Sequence, residues 1–442
     1  MKFYNREKEL EVLSKAREIS FNAHSQMTVL TGRRRVGKTS LILKSCENTP
    51  TIFLFVNREN EAALCKSFTE VISRTFNISV PKQNNFAHLF TFLMELGERV
   101  KYNLVIDEFQ EFFHINPIIY KQIQEIWDKH RQKSNVNLII NGSVYTLMNG
   151  IFNDSKEPLY GCPDNTIELL PFSTDVIKKI LRDHKANYTN NDLLALYTFT
   201  GGIPKYIELF MSNGATNMES MVDLMVRPES PFLKEGNILL IQDFGRRYGN
   251  YFSILSAIAN GKNTVLELEE ELIGTSAPGY LKRLEENYEV IKRERPIFAK
   301  ECARTVQYEI SDIFLRFWFR YFIKYNHLIE SQNFSTLADI IKNDYNTYYS
   351  GITLEIYFFQ KTMENPEFRK VGAWWEGKKN SCIHKIDVVG FYTDGQRAFV
   401  ANVKRPLRNF RAKVFNRKVE VIRTKCLSGY GIEAKYFTLK DM

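Results

Sequence analysis

The chain has 442 residues, 44% hydrophobic and 25% charged, an ordinary globular composition and too long for a single core. No run of about 18 uncharged apolar residues is present to span a bilayer, and the polar start "MKFYNREKEL" is not expected to act as a secretory signal. The formal charge of +9 concentrates between Arg397 and Lys425, where ten Lys or Arg accompany one acid, Glu420; such a stripe either attracts polyanions or is a solvated surface.

From the N-terminus, "MTVLT", "TIFLFV", "YNLVID" and "VNLII" are continuous apolar runs of strand length, each fed by a longer helical stretch. Continuous runs suit a parallel sheet covered on both faces, so residues 1–168 are expected to form an α/β doubly wound core. The first run leads into "TGRRRVGKTS", in which Gly32, Gly37, Lys38 and Thr39 complete G-x-x-x-x-G-K-[ST] between a strand and a helix. That context makes it a P-loop: backbone amides wrap phosphate oxygens and the helix N-terminus adds a favourable dipole. The expected nucleotide contacts are Gly32, Arg33, Arg34, Arg35, Val36, Gly37, Lys38, Thr39 and Ser40. Lys38 bridges the β- and γ-phosphates and Thr39 sits on Mg²⁺. The three arginines are expected to point outward, because the cradle uses backbone.

"NLVIDEF" supplies the second element. Asp107 at the strand end is expected to hold Mg²⁺ through water, and Glu108 to polarise the attacking water. The following strand ends in "NGS", which places Asn141 or Ser143 as candidate contacts to the γ-phosphate or the water. No Asn-Lys-x-Asp guanine-reading motif occurs, so ATP is expected over GTP.

Residues 169–235 turn helical, with Gly201, Gly202 and Pro204 forcing a tight turn between two helices. Residues 236–330 read as three helices followed by two strands around "RERP", the order of a winged helix-turn-helix. Its third helix and wing carry Lys282, Arg283, Lys292, Arg293 and Arg295, nearly cancelled by Glu285, Glu286, Glu289 and Glu294. Nucleic-acid reading and protein docking therefore both stay open. The greasy segment "IFLRFWFRYFI" carries Arg316 and Arg320 and reads as a buried or capping helix. Residues 331–442 read as α+β, with strands "KIDVVGFY", "RAFVANVK" and "EAKYFTL". The six cysteines are scattered, with no C-x-x-C pair, which argues against structural zinc and fits a reducing cytoplasm.

The ordered series "FYNREKEL", "TGRRRVGKTS", "LVIDEF", "GSVYTLM", "PLYG…IELLPF", "TGGIPKYIELF" and "TLEIYF" resembles the archaeal-type ATPase family within the STAND and AAA-like P-loop NTPases. Members carry a C-terminal domain of uncharacterised function. The resemblance implies that Arg6 lies near the adenine and phosphates. It also implies that 169–235 is a helical lid in which Pro204 packs on the base and Lys205 faces the phosphates. One departure stands out: the family's arginine after "PLYG" is Cys162 here, so hydrolysis is expected to be slow unless another arginine substitutes.

The last block resembles the restriction-endonuclease-like fold with a D…(E/D)-x-K site. Glu355, Asp387 and Lys404 match, but the acid expected two residues before Lys404 is Asn402. A neutral amide is a poor ligand for a hard cation, so this domain is expected to be nuclease-like in fold and inactive. The expectation for the whole chain is a Mg²⁺-dependent, cytoplasmic ATPase acting as a conformational switch. DNA is a candidate partner through the winged helix and residues 397–425, and a homo-oligomer or protein partner is a further candidate. The alternative is a nucleic-acid-binding regulator or nuclease-like protein in which ATP only regulates.

Overall fold

The computed structural model describes residues 2–244, 248–300, 306–376, 384–405 and 411–442. It divides into two compact units, Tyr4–Leu170 and Pro171–Met442 with the first three residues.

The first unit is built on five parallel strands in the order β2-β3-β4-β1-β5. They span Gln26–Thr31 (β1), Thr51–Phe55 (β2), Tyr102–Asp107 (β3), Val136–Asn141 (β4) and Asn165–Glu168 (β5). β1, β3 and β4 are buried at every residue, which is why their sequences are mainly apolar rather than alternating. One face packs on Phe68, Phe86, Phe90, Phe109 and Trp127, and the other on Leu13, Leu41 and Ile42. Each such fully buried side chain contributes about 1.5–3 kcal/mol. The four expected strands are present, and β5 is an addition, paired to β1 from Thr28↔Asn165 to Thr31↔Glu168. Because β4 inserts between β1 and β3, its C-terminal end lies between the P-loop and Asp107. Ligands bind at this carboxyl edge in open parallel sheets.

In the second unit, the helix Asn190–Thr200 is buried from Asp192 through Thr200. It is walled by Ile313–Trp318 and Ser350–Glu364: Phe199 meets Phe317 edge-on, and the Thr198 hydroxyl donates to Thr353 Oγ1 at 2.9 Å. The "IFLRFWFRYFI" segment is thus a buried helix, as its composition implies. The Gly201–Gly202 turn has φ of +55° and +80°, and a Cβ on Gly202 would stand 2.5 Å from the Phe172 carbonyl. Pro204 opens the next helix at its first turn, where its missing N–H costs nothing. Further on, helices Gly249–Ala259, Val265–Glu271 and Pro278–Lys282 precede an antiparallel hairpin, β6 (Ile291–Glu294) and β7 (Gln307–Ile310).

The C-terminal sheet has the order β11-β10-β9-β8. β8 (Phe368–Trp375), β9 (Lys385–Tyr392) and β10 (Arg397–Val403) form an antiparallel meander, and β11 (Gly431–Phe437) joins β10 in parallel. A parallel pair needs a crossover; the helix Ala412–Cys426 provides it, laying Phe415, Val419 and Ile422 on Val389 and Val400. β8 is the strand absent from the sequence reading.

Candidate functional site

The P-loop leaves β1 at Gly32 and enters the helix Lys38–Ser45, with Gly37 as its left-handed N-cap. Gly32 has two reasons to be glycine. Its φ is +137°, and a Cβ there would sit 2.5 Å from the Leu169 carbonyl at the end of β5. Val36 is buried in the adjoining core, whereas Thr39 and Ser40 are exposed at the helix start. Lys38 is buried and folded back: its Nζ donates to the Gly32 carbonyl at 2.7 Å and the Arg33 carbonyl at 3.1 Å. Burial lowers its pKa to about 8, against the opposing pull of Glu108 and Asp107 and with a further push from Arg34. Arg34 therefore departs from the outward orientation expected for the loop arginines. Its Nη1 is enclosed without a hydrogen-bond partner, and its charge is felt at Lys38.

Opposite the loop, β3 ends at Asp107. Its carboxylate accepts the Glu108 backbone N–H at 2.9 Å and the Asn141 side-chain amide. Burial, then the neighbouring Glu108, raises the Asp107 pKa above the usual carboxylate range. Glu108 itself adopts φ +54°, a left-handed conformation that costs a non-glycine residue roughly 1 kcal/mol or more. The turn aims its carboxylate at two donors, Ser143 Oγ at 2.6 Å and the Gln110 side-chain amide. Gln110 is a partner the sequence reading missed, for want of any motif around it. Asn141 is 2% exposed, and its Oδ1 has no hydrogen-bond partner.

These residues suit a magnesium nucleotide. Mg²⁺ in such sites takes one or two protein oxygens and otherwise phosphate and water, so Asp107 and the exposed Thr39 hydroxyl suffice. The Lys38 ammonium meanwhile rests on carbonyls it can exchange for phosphate. Arg6 lies at the start of the first helix with φ +84°, its guanidinium donating to the Leu170 carbonyl at 2.6 Å and to Glu9 at 3.2 Å. Cys162 is half-buried against the core, its thiol pKa raised by burial. Pro204 and Lys205 belong to the second unit, where Lys205 pairs with Glu208 at 2.8 Å.

A model of the ATPase domain found predominantly in Archaea matches residues 3–210, the span holding this whole constellation. Residues 3–210 belong to that ATPase-domain family. Downstream of the ATPase domain, a model of archaeal and bacterial proteins of unknown function matches residues 318–414. An uncharacterised protein of Methanocaldococcus jannaschii is 27% identical over 447 aligned residues, 99% of this chain and 95% of the relative. The Walker-type ATPase of Pyrococcus abyssi is similar in fold, with a TM-score of 0.54 and 22% identity. That match covers 72% of this chain and 96% of that one. The ORC2 protein of Aeropyrum pernix matches with a TM-score of 0.46 and 12% identity, over 75% of this chain and 95% of that one. The ATPase domain thus shares a P-loop fold with a solved Walker ATPase.

A second cluster lies in the C-terminal sheet. Glu355 comes from the helix Ser350–Glu364, Asp387 from β9, and Lys404 follows β10. The register Ala401↔Val388, carried one step further, sets Asn402 beside Asp387. Glu355, Asp387, Asn402 and Lys404 are thus gathered as the sequence reading expected. The unexpected member is Lys385, whose Nζ lies 2.7 Å from Glu355 and 2.9 Å from Asp387. Its signal was available, since positions two apart on a strand share a face.

Proposed function

We infer that this chain is a Mg²⁺-dependent ATPase whose nucleotide state drives a conformational switch. The observation that carries the reading is the Lys38 ammonium clasped over the P-loop while Asp107, Glu108 and Asn141 converge from β3 and β4. In this reading Lys38 binds the β- and γ-phosphates, and Thr39 with Asp107 holds Mg²⁺. The metal supplies charge neutralisation on the phosphoryl oxygens when bound. Glu108, oriented by Ser143 and Gln110, takes the proton of the attacking water. Asn141 positions either that water or the terminal phosphate. With Cys162 where the resemblance to the ATPase family implies an arginine, Arg34 is the candidate for charge stabilisation within the loop. The resemblance to the archaeal-type ATPase family makes the turn Gly201–Pro204, with Lys205, the candidate lid element. The test is calorimetry of the purified chain with ATP and Mg²⁺, for which a saturable heat of association is expected. No heat at millimolar nucleotide overturns the reading.

DNA contact is a second reading, favoured by one observation. On the helix Ala412–Cys426, Lys413 and Arg417, with Arg411 just before them, are exposed and have no carboxylate partner among the described residues. Positions 406–410 of the basic stretch lie outside those residues. The three-helix-and-hairpin segment is a weaker candidate for a winged helix that reads DNA. Its Arg293 pairs with Glu285 at 2.7 Å and Lys292 with Glu294 at 2.5 Å. If these three cations each meet a phosphate, replacing them with Gln lowers the slope of log affinity against log salt by about 3 in a gel-shift titration. An unchanged slope removes DNA from this helix.

A further inference from the structure

The cluster around Asp387 has the layout of a divalent-cation site but not its charge. Asp387 is 3% exposed, and its second oxygen also accepts the Val403 backbone N–H at 2.9 Å. Lys385 touches Glu355 and Asp387 together, and Lys404 approaches the same pair at 3.1 and 3.8 Å. Two carboxylates face two ammoniums, so the formal charge is zero and nothing is left to draw in a doubly charged ion. Asn402, 6% exposed with its Oδ1 unpartnered, adds a neutral amide where a nuclease-like centre needs a third carboxylate. Among the described residues no group of three His, Cys, Asp or Glu could hold a metal ion.

We propose that the Lys385 ammonium permanently occupies the bridging cation position between Glu355 and Asp387. The centre thereby becomes a metal-free clasp that ties the helix Ser350–Glu364 to β9 and β10. The residues present do not fit the metal that a nuclease-like fold implies, and the reason is an occupant rather than a missing acid alone. An ammonium at 2.7–2.9 Å from both carboxylates and a Mg²⁺ ion needing oxygens at about 2.0–2.1 Å exclude each other. The inference uses the nuclease-like reading only for the identity of the displaced ligand and is independent of the ATP site.

The latent site is testable by removing the occupant and restoring the acid. The double variant Lys385→Gln with Asn402→Asp moves the formal charge from zero to minus two. In the 442-residue chain without nucleotide, Mn²⁺ binding is followed by loss of the free-ion paramagnetic signal and by the thermal midpoint. The double variant is expected to bind at least tenfold more tightly than the wild type and to melt higher with Mn²⁺, while the wild type does neither. Wild-type Mn²⁺ binding that Asp387→Asn abolishes overturns the proposal. So does a folded double variant that gains no binding, an outcome that leaves the ATPase reading intact. Should the double variant fail to fold, the wild-type titration and the single variant Asn402→Asp decide. With Lys385 in place, Asn402→Asp gains no Mn²⁺ binding, and a gain overturns the occupancy.

Discussion

Glu108→Gln is expected to lower the ATP turnover number about 10²–10⁴-fold while leaving ATP affinity nearly unchanged. The amide keeps the shape of the carboxylate and can still meet Ser143, but it cannot accept a proton from water. The left-handed backbone at Glu108 and its two donors show a side chain held in one orientation against a conformational cost. Single-turnover hydrolysis beside a binding titration separates the two quantities. Unchanged turnover would remove Glu108 as the base, and lost affinity would make it a binding residue instead.

Lys38→Ala is expected to weaken ATP binding by about 2–5 kcal/mol, the usual loss when one partner of a buried charge-assisted contact is truncated. The pH dependence gives a sharper signature. With its pKa lowered to about 8 by burial, Lys38 sheds its proton in the nucleotide-free protein well before an unfolded lysine does, near 10.4. Between those values the unfolded state binds more protons, so this residue's contribution to stability rises with pH there. Nucleotide binding has the opposite sign. A triphosphate restores the ammonium, so above pH 8 binding takes up a proton and the dissociation constant rises by up to about tenfold per pH unit. Calorimetry from pH 7 to 9.5 checks this, and the Ala variant should lose the component due to Lys38. An identical slope in both proteins would show that Lys38 is not the coupled group.

Much of the ATPase core could be read from the sequence for a physical reason. Strands buried on both faces are mainly apolar, and both P-loop glycines sit at positive φ, with close packing at Gly32 besides. β5 escaped because "NTIE" is four residues at the sheet edge, with only Ile167 buried. β8 escaped because "FRKVGAWW" mixes charges with aromatics on a half-covered edge strand. Strand order has no local signal at all. Asn141 was legible as a candidate, but its place between the loop and Asp107 depends on β4 entering between β1 and β3. Lys385 has no place in the D…(E/D)-x-K pattern and so carries no motif signal, although it stands two residues before Asp387 in "KIDVV".

The folded-back lysine sets an entry requirement for whatever occupies the loop. A visitor must offer enough negative charge to replace two carbonyl contacts at once. A lone orthophosphate meets that demand poorly, whereas a chain of phosphoryl groups reaching toward the β3 acids through a metal meets it well. Orthophosphate is accordingly expected to compete only weakly with ATP for these amides.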